Sequence, residues 1–287
     1  MVEATIDDLR PYFSWRDFLI AWGVKGKYPE ILENPDIKDL INDANNTLDF
    51  LVKENYRLKA YAVIAKTQKL AHDSVLLKTN DQEFKLEFLR SQIAGNNQSC
   101  ADFLSDEDYL GFMAINAGFS TQALIKEYKD KGDLYQSMLL QFISDSLAEA
   151  GAQWLHEKFR YEYWGYEQER CSATDCLADK YKGIRPALGY PILPHHYLKK
   201  IMWDNLDIEN KISLKLTESY MMMPVSAVCA LVFNSSKAKY FAVNGIMKDQ
   251  LEDYSTRIGI STEQLEKDLS NYLGYIKDEA DIDRDII

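Results

Sequence analysis

Nine residues in the second half of the chain fit neither a helix nor a central strand. They read Gly183-Ile-Arg-Pro-Ala-Leu-Gly-Tyr-Pro191 and contain two prolines and two glycines. Proline fixes φ and has no amide hydrogen, so it interrupts a helix and the hydrogen-bonding ladder of a sheet. The glycines remove side chains and leave backbone amides accessible. The sequence therefore predicts a stiff loop, called here the Arg185 loop (residues 183–191).

The single arginine of this loop is a candidate ligand-binding group. A planar guanidinium suits a carboxylate, which it binds through two parallel hydrogen bonds. A small molecule with a carboxylate at one end, such as an amino acid derivative, would fit. The alternative is a rigid turn whose Arg185 pairs with a structural aspartate or glutamate, and the local sequence leaves both open.

Hydrophobic spacing predicts helices and short strands without regular βαβ alternation. Helices are expected over Ile37–Glu54, Glu83–Ala94 and about Asp133 to Tyr163, and two more close the chain, the last beginning at Ser261. Strands are expected at Tyr61–Ala65, Ser74–Lys78 and Leu110–Ala117, and Val225–Phe233 with Lys239–Ile246 reads as an antiparallel hairpin. Tyr12 to Leu32 reads as an aromatic, irregular opening. This mixture favours an α+β fold with an antiparallel sheet.

Composition narrows the possible partners. The net charge of −12 is spread along the chain, which disfavours nucleic acid or an anionic membrane as the main partner. The longest apolar stretch, Ala227–Phe233, is too short for a bilayer span, and the N-terminus lacks the pattern of a signal peptide. A cytoplasmic protein is expected.

Cysteines and histidines give no sign of a metal site. Cys100, Cys171, Cys176 and Cys229 match no zinc-ligand spacing, and four reduced thiols are expected. The adjacent His195 and His196 cannot easily chelate one ion, so structural or solvent-facing roles are favoured.

Several motifs in the same order resemble the activation (reactivation) domain of cobalamin-dependent methionine synthase. The Arg185 loop is similar to that family's Arg-Pro-Ala-x-Gly-Tyr-Pro signature, and the resemblance covers nearly the whole chain, from about Tyr12 to Tyr275. The other matching motifs are Trp22-Gly23, Lys25–Pro29, Asp43–Asn45, Leu147–Ala150, Leu155–Glu157, Tyr163–Tyr166, Leu216–Ser219, Ser236–Val243, Asp249–Tyr254 and Asn271–Tyr275.

The resemblance implies a C-shaped α+β fold with a twisted antiparallel sheet and flanking helices. It implies one activation domain over 1–287, with a helical segment at about 1–58, a core at about 59–276 and a charged tail at 277–287. It also implies a function in methionine biosynthesis: the domain binds S-adenosylmethionine and supports reductive remethylation of cob(II)alamin. The cobalamin is carried by separate methionine synthase modules, and a flavodoxin-like donor supplies the electron. On this reading the chain is one component of a methyltransferase rather than a complete catalyst.

Site residues carry over by position. Arg185 is expected to hold the ligand's carboxylate, and the backbone at Ala187 and Gly189 to meet its polar edges. Tyr190 is the candidate catalytic residue, standing where ligand and corrinoid meet, while Tyr240 and Phe241 flank the nucleoside. Glu149 is expected near the amino-acid or ribose end, although a helical glutamate more commonly faces solvent. His196 also matches a family histidine.

Ser14 departs from the family pattern. Before Trp15 the family usually carries an aspartate that touches the ligand. Losing a charge-assisted hydrogen bond costs roughly 1.5–3 kcal/mol, or about one to two decades of affinity. This departure motivates an alternative, a non-enzymatic binding or scaffold protein that docks a cobalamin-loaded partner. A methyltransferase that needs no corrinoid is a third option, but no general base is evident beside the loop.

Overall fold

The structure is a computed structural model that describes residues 1–276, so the predicted charged tail at 277–287 lies outside the described residues. The chain divides into two compact units. Among the described residues, unit 1 comprises 1–64, 111–182 and 202–232, and unit 2 comprises 65–110, 183–201 and 233–276. Among residues 1–276, no helix combines the length and apolar character that a membrane span requires.

Helices and antiparallel strands are mixed along the chain, as the sequence predicts. The strands are β1 (Val2–Thr5), β2 (Arg57–Lys69), β3 (Ser74–Lys78), β4 (Glu83–Glu87), β5 (Glu107–Asn116), β6 (Lys215–Leu216), β7 (Met222–Met223) and β8 (Ala227–Val232). The helices are α1 (Ile6–Leu9), α2 (Trp15–Ala21), α3 (Pro35–Lys53), α4 (Gly118–Asp130), α5 (Leu134–Lys158), α6 (Ala173–Leu177), α7 (Tyr197–Leu206), α8 (Ile208–Ile212), α9 (Lys248–Ile258) and α10 (Thr262–Asp268). β2 and β5 are hydrogen-bonded neighbours, and each contributes residues to both units.

Unit 1 is built around α5. The predicted apolar stripe is buried at Leu139, Ile143 and Leu147, and Asp133 caps the helix by accepting a hydrogen bond from the amide of Gln136. α5 packs in one hydrophobic core with α3 and with the antiparallel strands β5 and β8. β1 pairs with the first residues of β2. The helices predicted at 37–54 and 133–163 and the strand at 110–117 are confirmed.

Unit 2 has its own antiparallel strands and its own apolar cluster. The end of β2 pairs with β3, and β3 pairs with β4. The cluster is formed mainly by α9, α10 and the segment before them: Leu89, Val243, Ile246, Leu251, Tyr254, Leu265 and Leu269. Ser261 caps α10 by accepting from the amide of Gln264, so the predicted start of the last helix is confirmed.

The prediction of a helix over Glu83–Ala94 is wrong. Residues 83–87 form β4, in which Phe84 and Leu86 are buried while Glu83 and Lys85 are exposed. This alternation is the period of a strand with one buried face, and pairing with β3 stabilises it. Likewise the opening segment, predicted to be irregular, contains the short helix α2.

The predicted hairpin of 225–233 with 239–246 is also wrong. Ala227–Val232 is a strand, but its partner is β5, with Met113 opposite Ala230. Residues 239–246 form no strand. Their amides bond elsewhere in unit 2, that of Val243 to the carbonyl of Pro191 at 2.8 Å and that of Ile246 to the carbonyl of Tyr272 at 3.0 Å.

The expectation of four reduced cysteines is corrected at one pair. Cys171 and Cys176 form a disulfide in unit 1, whereas Cys100 and Cys229 are buried and take no part in a disulfide. The spacing of these two cysteines fits no zinc motif, but it suits a disulfide. Cys171 precedes the short helix α6 and Cys176 lies within it, so their Cα atoms are 5.8 Å apart, a distance that a disulfide can span.

Candidate functional site

The Arg185 loop is tied to unit 2 at both ends by backbone hydrogen bonds. Ile184 and Phe233 exchange two bonds of 3.0 Å each, and the carbonyl of Pro191 accepts from the amide of Val243 at 2.8 Å. Prolines supply no amide donor, so these bonds to neighbouring segments come from the other residues of the loop and from the carbonyl of Pro191. The predicted loop is therefore confirmed, with only an isolated bridge at Ile184.

A tight turn shapes the middle of the loop. The amide of Tyr190 bonds the carbonyl of Ala187 at 3.4 Å, and Gly189, the third residue of this turn, has φ +92°. A positive φ at that position favours glycine. Beyond the turn, the carbonyl of Leu193 accepts from Gly189 at 2.8 Å, and the amide of Leu193 returns to Tyr190 at 2.7 Å.

Alternate side chains of the loop point into the protein and out of it. Ile184 and Leu188 are buried, at 7% and 3% exposure, and Arg185 and Ala187 are half-buried. Leu188 stands where the family frequently has proline, and its burial supplies an apolar anchor in place of a stiffer backbone. Tyr190 is 61% exposed, so the loop presents its ring to solvent.

Tyr240 and Phe241 lie beside the loop in unit 2. The hydroxyl of Tyr240 accepts from the amide of Arg185 at 3.2 Å, and the ring is 53% exposed. Phe241 is half-buried, with its ring centroid 6.0 Å from that of Phe103. The segment that fails to form a strand thus brings the exposed ring of Tyr240 to the backbone of Arg185 and anchors the next ring, that of Phe241, on Phe103.

His196, for which the sequence favoured a structural or solvent-facing role, is a neighbour of the loop. A Cβ atom built on Gly189 would lie 2.6 to 2.9 Å from three atoms of the His196 ring, so the imidazole fills the space beside the glycine. The sequence signal was present, since a glycine in a signature loop sits seven residues before the histidine. The residues alone did not show that the two positions touch.

His195, by contrast, faces the core of unit 2. It is 2% exposed, and its Nδ1 lies 3.0 Å from the hydroxyl of Tyr254. Burial lowers its pKa to about 4, although Asp268, 3.6 Å from Nε2, acts in the opposite direction. This matches the structural role favoured from the sequence. No cluster of three or more histidine, cysteine, aspartate or glutamate residues within 1–276 could hold a metal ion.

Two predicted site residues belong to unit 1. Ser14 caps α2, because its hydroxyl accepts from the amide of Asp17 at 3.3 Å. Glu149 is exposed on α5. The remaining six predicted residues, Arg185, Ala187, Gly189, Tyr190, Tyr240 and Phe241, all belong to unit 2, where the Arg185 loop and the 240–241 segment are hydrogen-bonded neighbours.

Comparisons with known proteins identify the family and the fold of the chain. The family model for the vitamin B12-dependent methionine synthase activation domain matches residues 5–259. A crystal structure of the MetH reactivation domain bound to AdoHcy superposes with a TM-score of 0.89 at 34% sequence identity, covering 96% of this chain and 90% of that one. The mixed helical and antiparallel fold expected from the resemblance is therefore confirmed. The chain belongs to the family of vitamin B12-dependent methionine synthase activation domains.

Proposed function

We propose that the chain binds S-adenosylmethionine at the Arg185 loop and supports reductive remethylation of cob(II)alamin carried by a methionine synthase-type corrinoid module. The observation that carries the proposal is the loop itself, a rigid bend with a half-buried arginine and flanking aromatic rings. Its support from outside the chain is the MetH reactivation domain with AdoHcy bound, at 34% identity.

The chemistry of the site suits this ligand. The Arg185 guanidinium matches an amino-acid carboxylate in two-bond geometry. Ala187 and Gly189 have little or no side chain, so the ligand can reach backbone polar groups of the turn. The exposed ring of Tyr240 and the anchored ring of Phe241 offer apolar faces to a nucleoside.

With S-adenosylmethionine bound, its sulfonium would supply a methyl group to the corrinoid once a donor has reduced it by one electron, with methylcobalamin and S-adenosylhomocysteine as the products. The protein's part is to position the donor, since a favourable orientation removes much of the entropic barrier to transfer between two large molecules. We assign this positioning to the Arg185 loop, and we propose that the exposed Tyr190 touches both ligand and corrinoid.

We further propose that all 287 residues act as one activation domain. The corrinoid arrives on a methionine synthase module that these residues do not include, and a flavodoxin-like protein supplies the electron. Glu149 and Ser14 stay predictions from the resemblance. The hydroxyl of Ser14 already serves as a helix cap, so we expect at most a weak contribution from it to ligand binding.

The direct test is an anaerobic remethylation assay with a cobalamin-loaded corrinoid module added in trans. We expect methylcobalamin to appear, by its absorption spectrum, only when S-adenosylmethionine, reductant and this chain are all present. Arg185→Ala should abolish the reaction, while Arg10→Ala, which removes an arginine paired with Asp49 in unit 1, serves as the matched control. Methyl transfer at the same rate with Arg185→Ala contradicts the assignment.

The assay also separates the alternatives. A scaffold protein would bind the cobalamin-loaded module with the same affinity with and without S-adenosylmethionine and would produce no methylcobalamin. A corrinoid-independent methyltransferase would release S-adenosylhomocysteine with some other acceptor when cobalamin is omitted.

A further inference from the structure

A buried lysine stands next to the histidine that touches the Arg185 loop. Lys199 is only 3% exposed, although lysine is rarely buried without a specific partner. Its Nζ lies 3.0 Å from Nδ1 of His196. Both residues belong to unit 2, at the start of α7.

This contact fixes the proton of the imidazole. A lysine ammonium has three donors and no acceptor, so Nδ1 of His196 must accept the hydrogen bond with its lone pair. The ring is then neutral and carries its proton on Nε2. Burial lowers the pKa of His196, and the charge of Lys199 lowers it further, while Asp268 on α10 acts in the opposite direction. The adjacent His195 also titrates, and burial lowers its pKa as well.

The same ring supports the turn that the ligand needs. Its Cε1, Nε2 and Nδ1 atoms lie 2.6, 2.8 and 2.9 Å from the point where a Cβ of residue 189 would be. The imidazole therefore occupies the place of the missing side chain. A displacement of the ring would shift Gly189, whose amide donates to the carbonyl of Leu193 and which directly precedes Tyr190.

We propose that Lys199 and His196 are a positioning pair for the Arg185 loop: Lys199 keeps the imidazole neutral with its proton on Nε2, and the ring holds the Gly189 turn in its binding geometry. The physical reason is charge. S-adenosylmethionine carries a sulfonium, an ammonium and one carboxylate, so an imidazolium beside Lys199 would add a further cation to a site for a net cation. The ligand part of this inference rests on the proposed function, whereas the protonation part does not.

The first test is nitrogen-15 NMR of the imidazole side chains in the wild-type protein. The chain has only four histidines, so His196 can be assigned from the spectrum of His196→Gln. We expect the neutral Nε2–H form at neutral pH, because the pKa of His196 is lowered. An Nδ1–H form, or an imidazolium at neutral pH, overturns the inference without any variant at Lys199.

The second test removes the ammonium. In Lys199→Met we expect His196 to titrate at higher pH than in the wild type, and calorimetry should show S-adenosylmethionine affinity falling as the ring becomes protonated. Lys200→Met removes the same charge from the adjacent position and should behave as the wild type. A Lys199→Met protein with the wild-type tautomer and a flat affinity profile contradicts the pairing.

Substitutions of the histidine complete the design. Glutamine places an amide N–H near the position of Nε2, so His196→Gln should keep the affinity for S-adenosylmethionine within about threefold of the wild type. The shorter asparagine cannot reach that position, so His196→Asn should lose about tenfold, which corresponds to about 1.4 kcal/mol. Equal losses in both variants count against the pair. Failure of the wild type to bind S-adenosylmethionine contradicts the proposed function, while a wrong tautomer in a protein that binds contradicts only this inference.

Discussion

Replacing Gly189 by alanine tests how the loop is built. Residue 189 has φ +92°, a backbone conformation that costs an L-residue roughly 1–2 kcal/mol. The new Cβ would also lie 2.6 Å from Cε1 of His196. Forcing a methyl group into occupied space typically costs about 1–3 kcal/mol, so we expect a total loss of roughly 2–5 kcal/mol in the free energy of unfolding.

A matched control separates the two contributions. Gly95 also belongs to unit 2 and has φ +81°, but a Cβ there would meet nothing within 4 Å. Gly95→Ala should therefore show only the backbone cost of about 1–2 kcal/mol. The difference between the two variants, about 1–3 kcal/mol, isolates the clash with the His196 ring.

The measurement is urea unfolding followed by circular dichroism, with a double variant to close the cycle. His196→Ala removes the ring, so Gly189→Ala should cost no more than the control in that background. If the strain is relieved by distorting the turn instead, calorimetry should show S-adenosylmethionine affinity reduced by about tenfold or more. If Gly189→Ala lowers the free energy of unfolding no more than Gly95→Ala, or if its effect simply adds to that of His196→Ala, then the His196 ring does not restrict residue 189.

Three further predictions follow from unit 2 and unit 1. Arg90 donates to Asp73, Asp102 and the carbonyl of Asn97, so Arg90→Met should lose about 1–2 kcal/mol of stability at neutral pH. Burial alone would raise the pKa of Asp102, but hydrogen bonds from Arg90 and the Ser99 amide hold it below its usual value of 3.8. The difference in urea midpoint between the wild type and Arg90→Met should therefore shrink as pH falls below 3.8, because Asp102 becomes protonated. A difference that stays constant would count against the ion pair. Because burial lowers the pKa of His195 from 6.5 to about 4, the unfolded chain takes up a proton in this window that the native protein does not. Wild-type stability should fall as pH drops from 6.5 to about 4, and His195→Gln should reduce that slope to the part that His196 contributes. An unchanged slope excludes His195 as a cause. Reduction of the Cys171–Cys176 disulfide, or Cys171→Ser, should lower the free energy of unfolding by about 2 kcal/mol, because the disulfide closes a short loop. The loss should appear as a lower melting temperature, and an unchanged melting temperature would show that the disulfide does not stabilise the fold.

Long, strongly periodic elements could be predicted from the sequence. The helical spacing of Leu139, Ile143 and Leu147 predicted α5. The Arg185 loop was predicted because proline fixes φ and has no amide hydrogen, and because glycine has no side chain. Both depend on local chemistry that the surroundings only reinforce.

The errors lie where a partner decides the structure. Residues 83–87 have enough apolar character for either a helix or a strand, and pairing with β3 selects the strand. β8 was predicted correctly as a strand, but its partner is β5 rather than the next apolar run. Residues 239–246 are then left to bond the Arg185 loop and Tyr272.

The candidate site shows the same division. Arg185, Gly189 and Tyr190 could be proposed as site residues from the loop and its resemblance to the family. The contact of His196 with Gly189 and the buried position of Lys199 could not, because they depend on how the start of α7 packs against the turn. The disulfide was missed because the spacing of Cys171 and Cys176 matches no common motif and the geometry of α6 brings them together.

The binding of the ligand's carboxylate by Arg185 is tested most directly by calorimetry. The experiment compares S-adenosylmethionine with its decarboxylated analogue, on the wild type and on Arg185→Gln. If the guanidinium holds the ligand's carboxylate, the wild type should prefer the intact ligand by roughly 1.5–3 kcal/mol, or about 10- to 100-fold. Arg185→Gln should lose most of this preference while still binding the decarboxylated analogue as the wild type does. An equally strong preference in Arg185→Gln would mean that the carboxylate is bound by another residue.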